Sequence, residues 1–192
     1  MRDDVECQQS VADLLALPDA AAQQHWLEQN RLLLRDATCA DAIAEALKGQ
    51  VDHSVRAEIR RAQATADLMR LLAAASGNPL HEALRLRAQG NIHAIGEGRF
   101  QEAIECYDAA AAVYRAARRP VDEARSQVGK IACLTRLSRP AEAFALGEWG
   151  RRILREHGAN RQCIVYIFPT VHGLLDSGLN RQCILYSNGG ST

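Results

Sequence analysis

The stretch GRFQEAIECY, residues 98–107, decides the fold, because its pattern returns at a fixed distance along the chain. It starts with a small turn residue and an aromatic residue, and two polar residues then lead into an apolar helical run. Related stretches follow forty residues later, SRPAEAFALG at 138–147, and forty later again, GLNRQCILYS at 178–187. A period of this length is typical of chains built from repeated helical hairpins.

The forty-residue alignment extends beyond the turn itself. Gly98, Ser138 and Gly178 share the turn column, and small residues recur just inside the second helix of each unit, at Ala103, Ala143 and Cys183. Each unit therefore predicts a helix, a tight turn and a second helix. A hairpin of this size cannot bury its apolar faces alone, so neighbouring units must stack on one another and form a solenoid.

Composition supports helices throughout. Hydrophobic residues make up 47% of the 192 residues but aromatic residues only 5%, and Ala and Leu are accompanied by many Glu, Gln and Arg residues, which are good helix formers. Alternating strand patterns are scarce before residue 160. The sequence predicts an all-α protein: a helical-hairpin solenoid preceded by an N-terminal helical segment.

The predicted domains follow from this pattern. Residues 1–78 form the N-terminal helical segment, which ends at Gly77-Asn78-Pro79. The repeats occupy 79–192, as units at about 79–120 and 121–158 and a partial or divergent unit at 159–192. That last unit has Pro169 inside an expected helix, and it contains the near-identical stretches ANRQCIVY and LNRQCILY, which start at residues 159 and 179.

One unit, RAQGNIHAIGEGRFQEAIECYDAAAAVYRAARRP at 87–120, resembles a tetratricopeptide repeat. The matching positions are Gly90-Asn91, Gly98-x-Phe100, Glu102-Ala103-Ile104, Tyr107 and the closing Pro120. Together with LLALPDAAAQQHWLEQNRLLLRD near the start, the chain is similar to the leading part of large bacterial tetratricopeptide proteins, several of which carry a caspase-like CHAT protease domain further on. The resemblance implies an interaction scaffold and not a catalyst.

Charge and cysteine content argue against several classes of function. Lys plus Arg equals Asp plus Glu, 23 of each, so no global field favours nucleic acid or an anionic membrane. Neither a signal peptide nor a spanning run of about eighteen apolar residues is apparent, which predicts a cytoplasmic protein. The six cysteines form no CxxC pair, so we expect reduced thiols, no metal site and no cofactor.

One candidate catalytic pair is present, His172 and Cys183. The histidine could activate the cysteine thiolate as a nucleophile, as in a caspase-like protease. No strand pattern leads into either residue, so we expect no catalytic residues and no enzymatic activity. The glycines at 90, 96 and 98 could suggest a phosphate-binding loop, but a helix and not a strand precedes them. A turn between helices is the favoured interpretation.

The remaining candidate is a groove lined by the first helix of each hairpin. Arg85 and Gln89 in the first unit and Arg125 in the second are the candidate partner contacts, and ordinary solvated positions are the alternative. They favour an acidic or carboxylate-bearing protein or peptide. We expect the recognition or regulatory region of a larger bacterial assembly. The alternatives are a component or regulator of a CHAT protease system, and a structural module that forms a homodimer through its C-terminal end.

Overall fold

The structure is a computed structural model that describes residues 2–159, with side chains from residue 6 onward. Every regular element in this range is helical, which confirms the all-α prediction. The helices are α1 (Arg2–Leu15), α2 (Ala20–Gln29), α3 (Ala37–Ser54), α4 (Ile59–Ser76), α5 (Pro79–Asn91), α6 (Phe100–Ala116), α7 (Pro120–Ser126), α8 (Val128–Arg136) and α9 (Pro140–Glu156). None of them is both long enough and apolar enough to cross a membrane.

Local sequence explains where the helices start. Asp19, Asp36 and Asn78 precede α2, α3 and α5, and each side chain accepts a hydrogen bond from a backbone N–H in the first turn, at 2.8, 3.0 and 3.0 Å. These contacts satisfy donors that have no partner inside a helix. Pro120 and Pro140 open α7 and α9, where the missing N–H of proline costs nothing.

The turns after residue 97 recur every twenty residues. Gly98, Arg118, Ser138 and Gly158 all have a left-handed backbone, with φ between 55° and 70°. After each of the last three, the next backbone N–H bonds a carbonyl five residues earlier at 2.9 Å, a common way of ending a helix. Gly98 and Ser138, which the forty-residue alignment places in one column, therefore share one conformation.

Helix lengths match this spacing. The helices α6 and α9 each have 17 residues. The helices α7 and α8 together span residues 120–136 and differ from a single helix only by a break at Gln127. In the first part, by contrast, a 3-10 turn (Leu33–Arg35) precedes α3 and a π-helical turn (Ile92–Glu97) extends α5.

The helices pack chiefly on neighbours one or two places away in the chain: α1 on α3, α2 on α4, α3 on α4 and α5, α5 on α4 and α6, α6 on α7 and α8, and α9 on both α7 and α8. One apolar cluster runs from Leu14 to Ile92 and includes Leu84 and Ala88 of α5, so it continues across the predicted boundary at residue 78. A second runs from Ala103 to Leu154. The division at 78 stays a prediction.

The cysteines differ from expectation. Cys7 of α1 and Cys39 of α3 form a disulfide, with Cα atoms 5.0 Å apart, so the prediction of reduced thiols is wrong for this pair. The reason is tertiary: α1 lies along α3, which brings together residues 32 positions apart in sequence. Cys106 and Cys133 are unpaired. Cys163 and Cys183 lie outside the described residues.

Candidate functional site

Tyr107 of α6 packs against both α5 and α8. Its ring contacts Gly90 of α5 and Gly129 of α8, and a Cβ atom added at either glycine would overlap ring atoms. The ring is only 3% exposed. Glycine in a helix interior lowers helix stability, so its presence at both positions is explained by the close approach of the tyrosine.

The hydroxyl of Tyr107 begins a chain of hydrogen bonds to α3. It donates to Asn91 Oδ1 at 2.8 Å, and Asn91 Nδ2 donates to Asp52 Oδ1 at 2.8 Å. The other carboxylate oxygen of Asp52 accepts from Lys48 Nζ at 2.5 Å. Four side chains thus connect α3, α5 and α6 on one face, which we call the α3–α5 face.

Burial governs the electrostatics of this face. The Lys48 side chain is 9% exposed, and burial lowers its pKa against the attraction of Asp52, which raises it. Repulsion from Arg87 adds to the lowering. Burial also raises the pKa of Tyr107 far above its ordinary value, so its hydroxyl stays protonated and remains a donor to Asn91.

Arg87 supplies a second cation to the α3–α5 face. It is partly buried, and it interacts with the Tyr114 hydroxyl, whose pKa burial raises and Arg87 lowers. Within residues 6–159, no carboxylate is bound to the Arg87 guanidinium. Asp52 pairs with Lys48, and Glu45 of α3 acts electrostatically on both Lys48 and Tyr114, whereas no carboxylate of the described residues lies within ion-pair distance of Arg87. Chemically the face can donate hydrogen bonds to an anionic group.

The predicted contact residues Arg85 and Gln89 lie on a different stripe of α5. Arg85 binds both carboxylate oxygens of Glu82, at 2.8 and 2.6 Å, and this hydrogen bonding raises the pKa of Arg85. Its remaining electrostatic interactions are with Asp67 of α4 and Cys106 of α6. Gln89 Nε2 lies 3.3 Å from Nε2 of His93. Among the described residues, neither side chain forms a hydrogen bond or ion pair with α3.

Arg125 lies on α7, and 47% of its side chain is exposed. Its nearest carboxylate is Asp122, at 3.8 Å. Asp122 is held more tightly by Arg119, at 2.8 Å, so Arg125 keeps a largely available positive charge. No hydrogen bond or ion pair in the described part of the chain joins Arg125 to Arg85 or Gln89. The role of these three residues as partner contacts stays a prediction.

Sequence reasoning missed Lys48, Asp52 and Arg87. Arg87 is two positions from Arg85, which turns its side chain about 200° around the helix axis. The repeat pattern identified the helix but not which of its sides faces α3. The lysine and aspartate pair, four residues apart on α3, was the available signal, because such pairs bond along one helix face.

The pair of catalytic type, His172 and Cys183, lies outside the described residues, as does the C-terminal unit at 159–192 apart from Ala159. Comparison with known proteins gives no further assignment: no family model, no curated protein and no solved structure matches this chain.

Proposed function

We propose that this chain is a non-catalytic protein–protein interaction module with a tetratricopeptide-like solenoid of helical hairpins. Its α3–α5 face binds an acidic protein or peptide segment, and the chain serves as the recognition or regulatory region of a larger bacterial assembly. The observation that carries the proposal is the partly buried Arg87, which forms no ion pair with a carboxylate of the described residues and lies beside the Lys48–Asp52–Asn91–Tyr107 network.

The packing pattern supports a stacked architecture. Each helix contacts mainly its near neighbours in the chain, as expected when hairpins are added one after another. Within a stack, successive first helices lie side by side, and here α3 contacts α5 directly. Such a surface suits an extended peptide or a partner helix.

The charges on the face support an acidic partner. A buried cation costs stability unless it is paired, and Lys48 is retained in a buried position with one half-exposed carboxylate. A ligand carboxylate near Arg87 would complete the pairing by a charge-assisted hydrogen bond. Arg85 contributes less to this argument, because its Nε and Nη2 already donate to the two carboxylate oxygens of Glu82. Arg125 remains a candidate contact on the following helix.

A peptide selection tests the proposal. Random linear peptides displayed on phage are selected on the full chain, and the enriched peptides are measured by fluorescence anisotropy at two salt concentrations. We expect acidic peptides whose affinity falls at least about tenfold in Arg87→Glu, because a like charge replaces the partner of their carboxylate. Arg70→Glu on α4 is the matched control, since Arg70 is 64% exposed on another helix.

The outcomes distinguish the α3–α5 face from the surface that carries Arg85 and Arg125. Loss of binding in Arg87→Glu with retention in Arg70→Glu supports the α3–α5 face. Loss only in Arg85→Glu or Arg125→Glu would move the contact to the residues predicted from sequence. Selection of no acidic peptide would count against the proposed partner class. Membership of a CHAT protease system and dimerisation through the C-terminal end stay predictions, and light scattering on the full chain tests the second.

A further inference from the structure

The disulfide between Cys7 and Cys39 joins the first helix to the helix on which it packs. Both residues are buried, at 3% and 4% exposure, and their Cα atoms are 5.0 Å apart, a separation that suits a disulfide. The principal contacts of α1 are with α3, and its contacts with α2 are few. The bond therefore lies at the main attachment of α1 to the protein.

Few of the described side chains of α1 take part in the rest of that attachment. From residue 6 onward, only Cys7 and Leu14 are buried, and Ser10 and Val11 are partly buried. Glu6, Gln8 and Gln9 are exposed. Among residues 6–10, Cys7 is thus the one buried side chain, and the docking of this segment on α3 depends on what Cys7 contacts.

The surroundings of Cys39 bear on its chemistry. Cys39 is the third residue of α3, where the backbone N–H groups of a helix start favour a thiolate. Asp36 accepts the Cys39 N–H at 3.0 Å, and its carboxylate lies within 4.8 Å of both sulfur atoms. In the reduced state the buried pair consists of neutral thiols, and the helix start favours Cys39 as the attacking sulfur once α1 lifts.

We propose that Cys7 and Cys39 form a reversible redox clasp that fixes the N-terminal half of α1 on α3 when oxidised and releases it when reduced. The oxidant is a small-molecule disulfide such as oxidised glutathione. The Cys39 thiolate attacks one sulfur of that disulfide and displaces a thiolate. Cys7 then loses its proton to solvent and attacks Cys39 Sγ, which expels the second thiolate. The net reaction converts two protein thiols and one small disulfide into one protein disulfide and two small thiols.

The clasp has a structural consequence independent of the proposed function. Because both sulfurs are buried, exchange with a small molecule requires the start of α1 to lift from α3. Reduction removes the covalent restraint on that opening. The surface of α3 around Cys39 and Ala40, which is buried in the oxidised state, then becomes accessible.

The experiment uses the folded full chain equilibrated in glutathione buffers of graded oxidation. Alkylation followed by peptide mapping measures the oxidised fraction of Cys7 and Cys39, and hydrogen exchange reports the opening of α1. We expect the pair to interconvert across these buffers. In the reduced state, amides of α1 should exchange at least about tenfold faster while those of α8 stay unchanged.

Cys106→Ser is the matched control, because Cys106 is an unpaired, partly buried thiol, and it should keep the full response. In the double variant Cys7→Ser, Cys39→Ser, the amides of α1 should exchange rapidly at every ratio of oxidised to reduced glutathione. If that variant does not fold, the reduced wild-type protein gives the same information. Equal exchange of α1 in both states would overturn the clasp. So would a pair that stays reduced in every buffer, or one that stays oxidised in excess dithiothreitol. Stoichiometric zinc on the reduced protein, protecting both thiols until chelation, would replace the clasp with a metal site of Cys7, Asp36 and Cys39.

Discussion

The two parts of this molecule, residues 2–97 and 98–159, are both helical but are held together differently. In the second part, left-handed turns at 98, 118, 138 and 158 separate helical segments of equal length. In the first part, helix lengths range from 10 to 18 residues, and side-chain links between helices span up to 40 positions in sequence. The disulfide of Cys7 with Cys39 and the 2.7 Å contact of His81 with Asp41 are two such links. In the second part, the links of Gln127 with Tyr107 and of Lys130 with Asp108 span 20 and 22 positions.

This difference shows two ways of fixing neighbouring helices. A repeated turn sets the position of each helix through local backbone geometry, so a period in the sequence is enough to predict it. Irregular helices need specific contacts between particular side chains. The α5–α6 hairpin belongs to both parts, since α5 completes the first apolar cluster and α6 begins the second.

The largest effect that we expect comes from the glycines around Tyr107. Gly129→Ala places a Cβ atom against a buried ring that cannot move away, and should lower the free energy of unfolding by about 2–3 kcal/mol. Gly49→Ala on α3 is the matched control, since no atom lies within 4 Å of its Cβ position. That change should raise the free energy of unfolding by about 0.5–1 kcal/mol.

Urea denaturation of both variants measures the difference between their free energies of unfolding. A Gly129→Ala protein as stable as Gly49→Ala would mean that α8 does not approach Tyr107 as closely as the structure has it. The close packing of α8 on α6 would then have no steric basis.

The sequence predicted more of the fold than of the candidate site. The period of forty predicted the helices and the turn at residues 98 and 138, because a left-handed turn needs a small or specially tolerant residue. It could not predict the pairing of Cys7 with Cys39, which depends on how α1 lies on α3. The same holds for Arg87, whose position depends on which side of α5 meets α3, and a single sequence carries no direct record of that contact.

The next effect in size concerns the hydrogen bond that joins the two parts at Tyr107. Tyr107→Phe keeps the ring between the glycines but removes the donor to Asn91, and should cost about 1 kcal/mol. A double-mutant cycle with Asn91→Ala isolates the contact, and we expect a coupling of about 0.5–1 kcal/mol. Additive losses in urea denaturation would show that the bond does not couple α5 to α6.

The repeated turn can be tested by exchanging its residues. Ser138 has φ of 56° and is exposed, so Ser138→Gly should raise the free energy of unfolding by about 0.5–1 kcal/mol by relieving the left-handed strain. Gly98→Ala introduces that strain and should lower it by about 1 kcal/mol. Thermal denaturation compares both with Ala132→Gly, an exposed position inside α8, where glycine should destabilise by about 1 kcal/mol. A destabilising Ser138→Gly would contradict the shared turn conformation.

The smallest expected effect lies at the junction of the two parts, where Glu97 connects α4 to the first turn. Its carboxylate accepts from Gln63 Nε2 at 2.8 Å, contacts His93 Nδ1 at 2.7 Å and accepts from Arg99 at 3.3 Å. The hydrogen bond with His93 is the main cause that lowers the pKa of Glu97 below its ordinary value, and partial burial opposes it. A lowered pKa in the folded state means that the stabilisation is present above the ordinary pKa and is lost as pH falls through the folded value.

Glu97→Gln should therefore lose less stability than the wild type between about pH 5 and pH 3, by a few tenths of a kcal/mol because the group is near the surface. Glu105→Gln on α6 is the control, since it changes the net charge equally at an exposed position. Urea denaturation at several pH values measures the slopes. If Glu97→Gln and Glu105→Gln have the same slope, the Glu97 contacts do not hold the junction, and Tyr107 and the α5–α6 packing hold it instead.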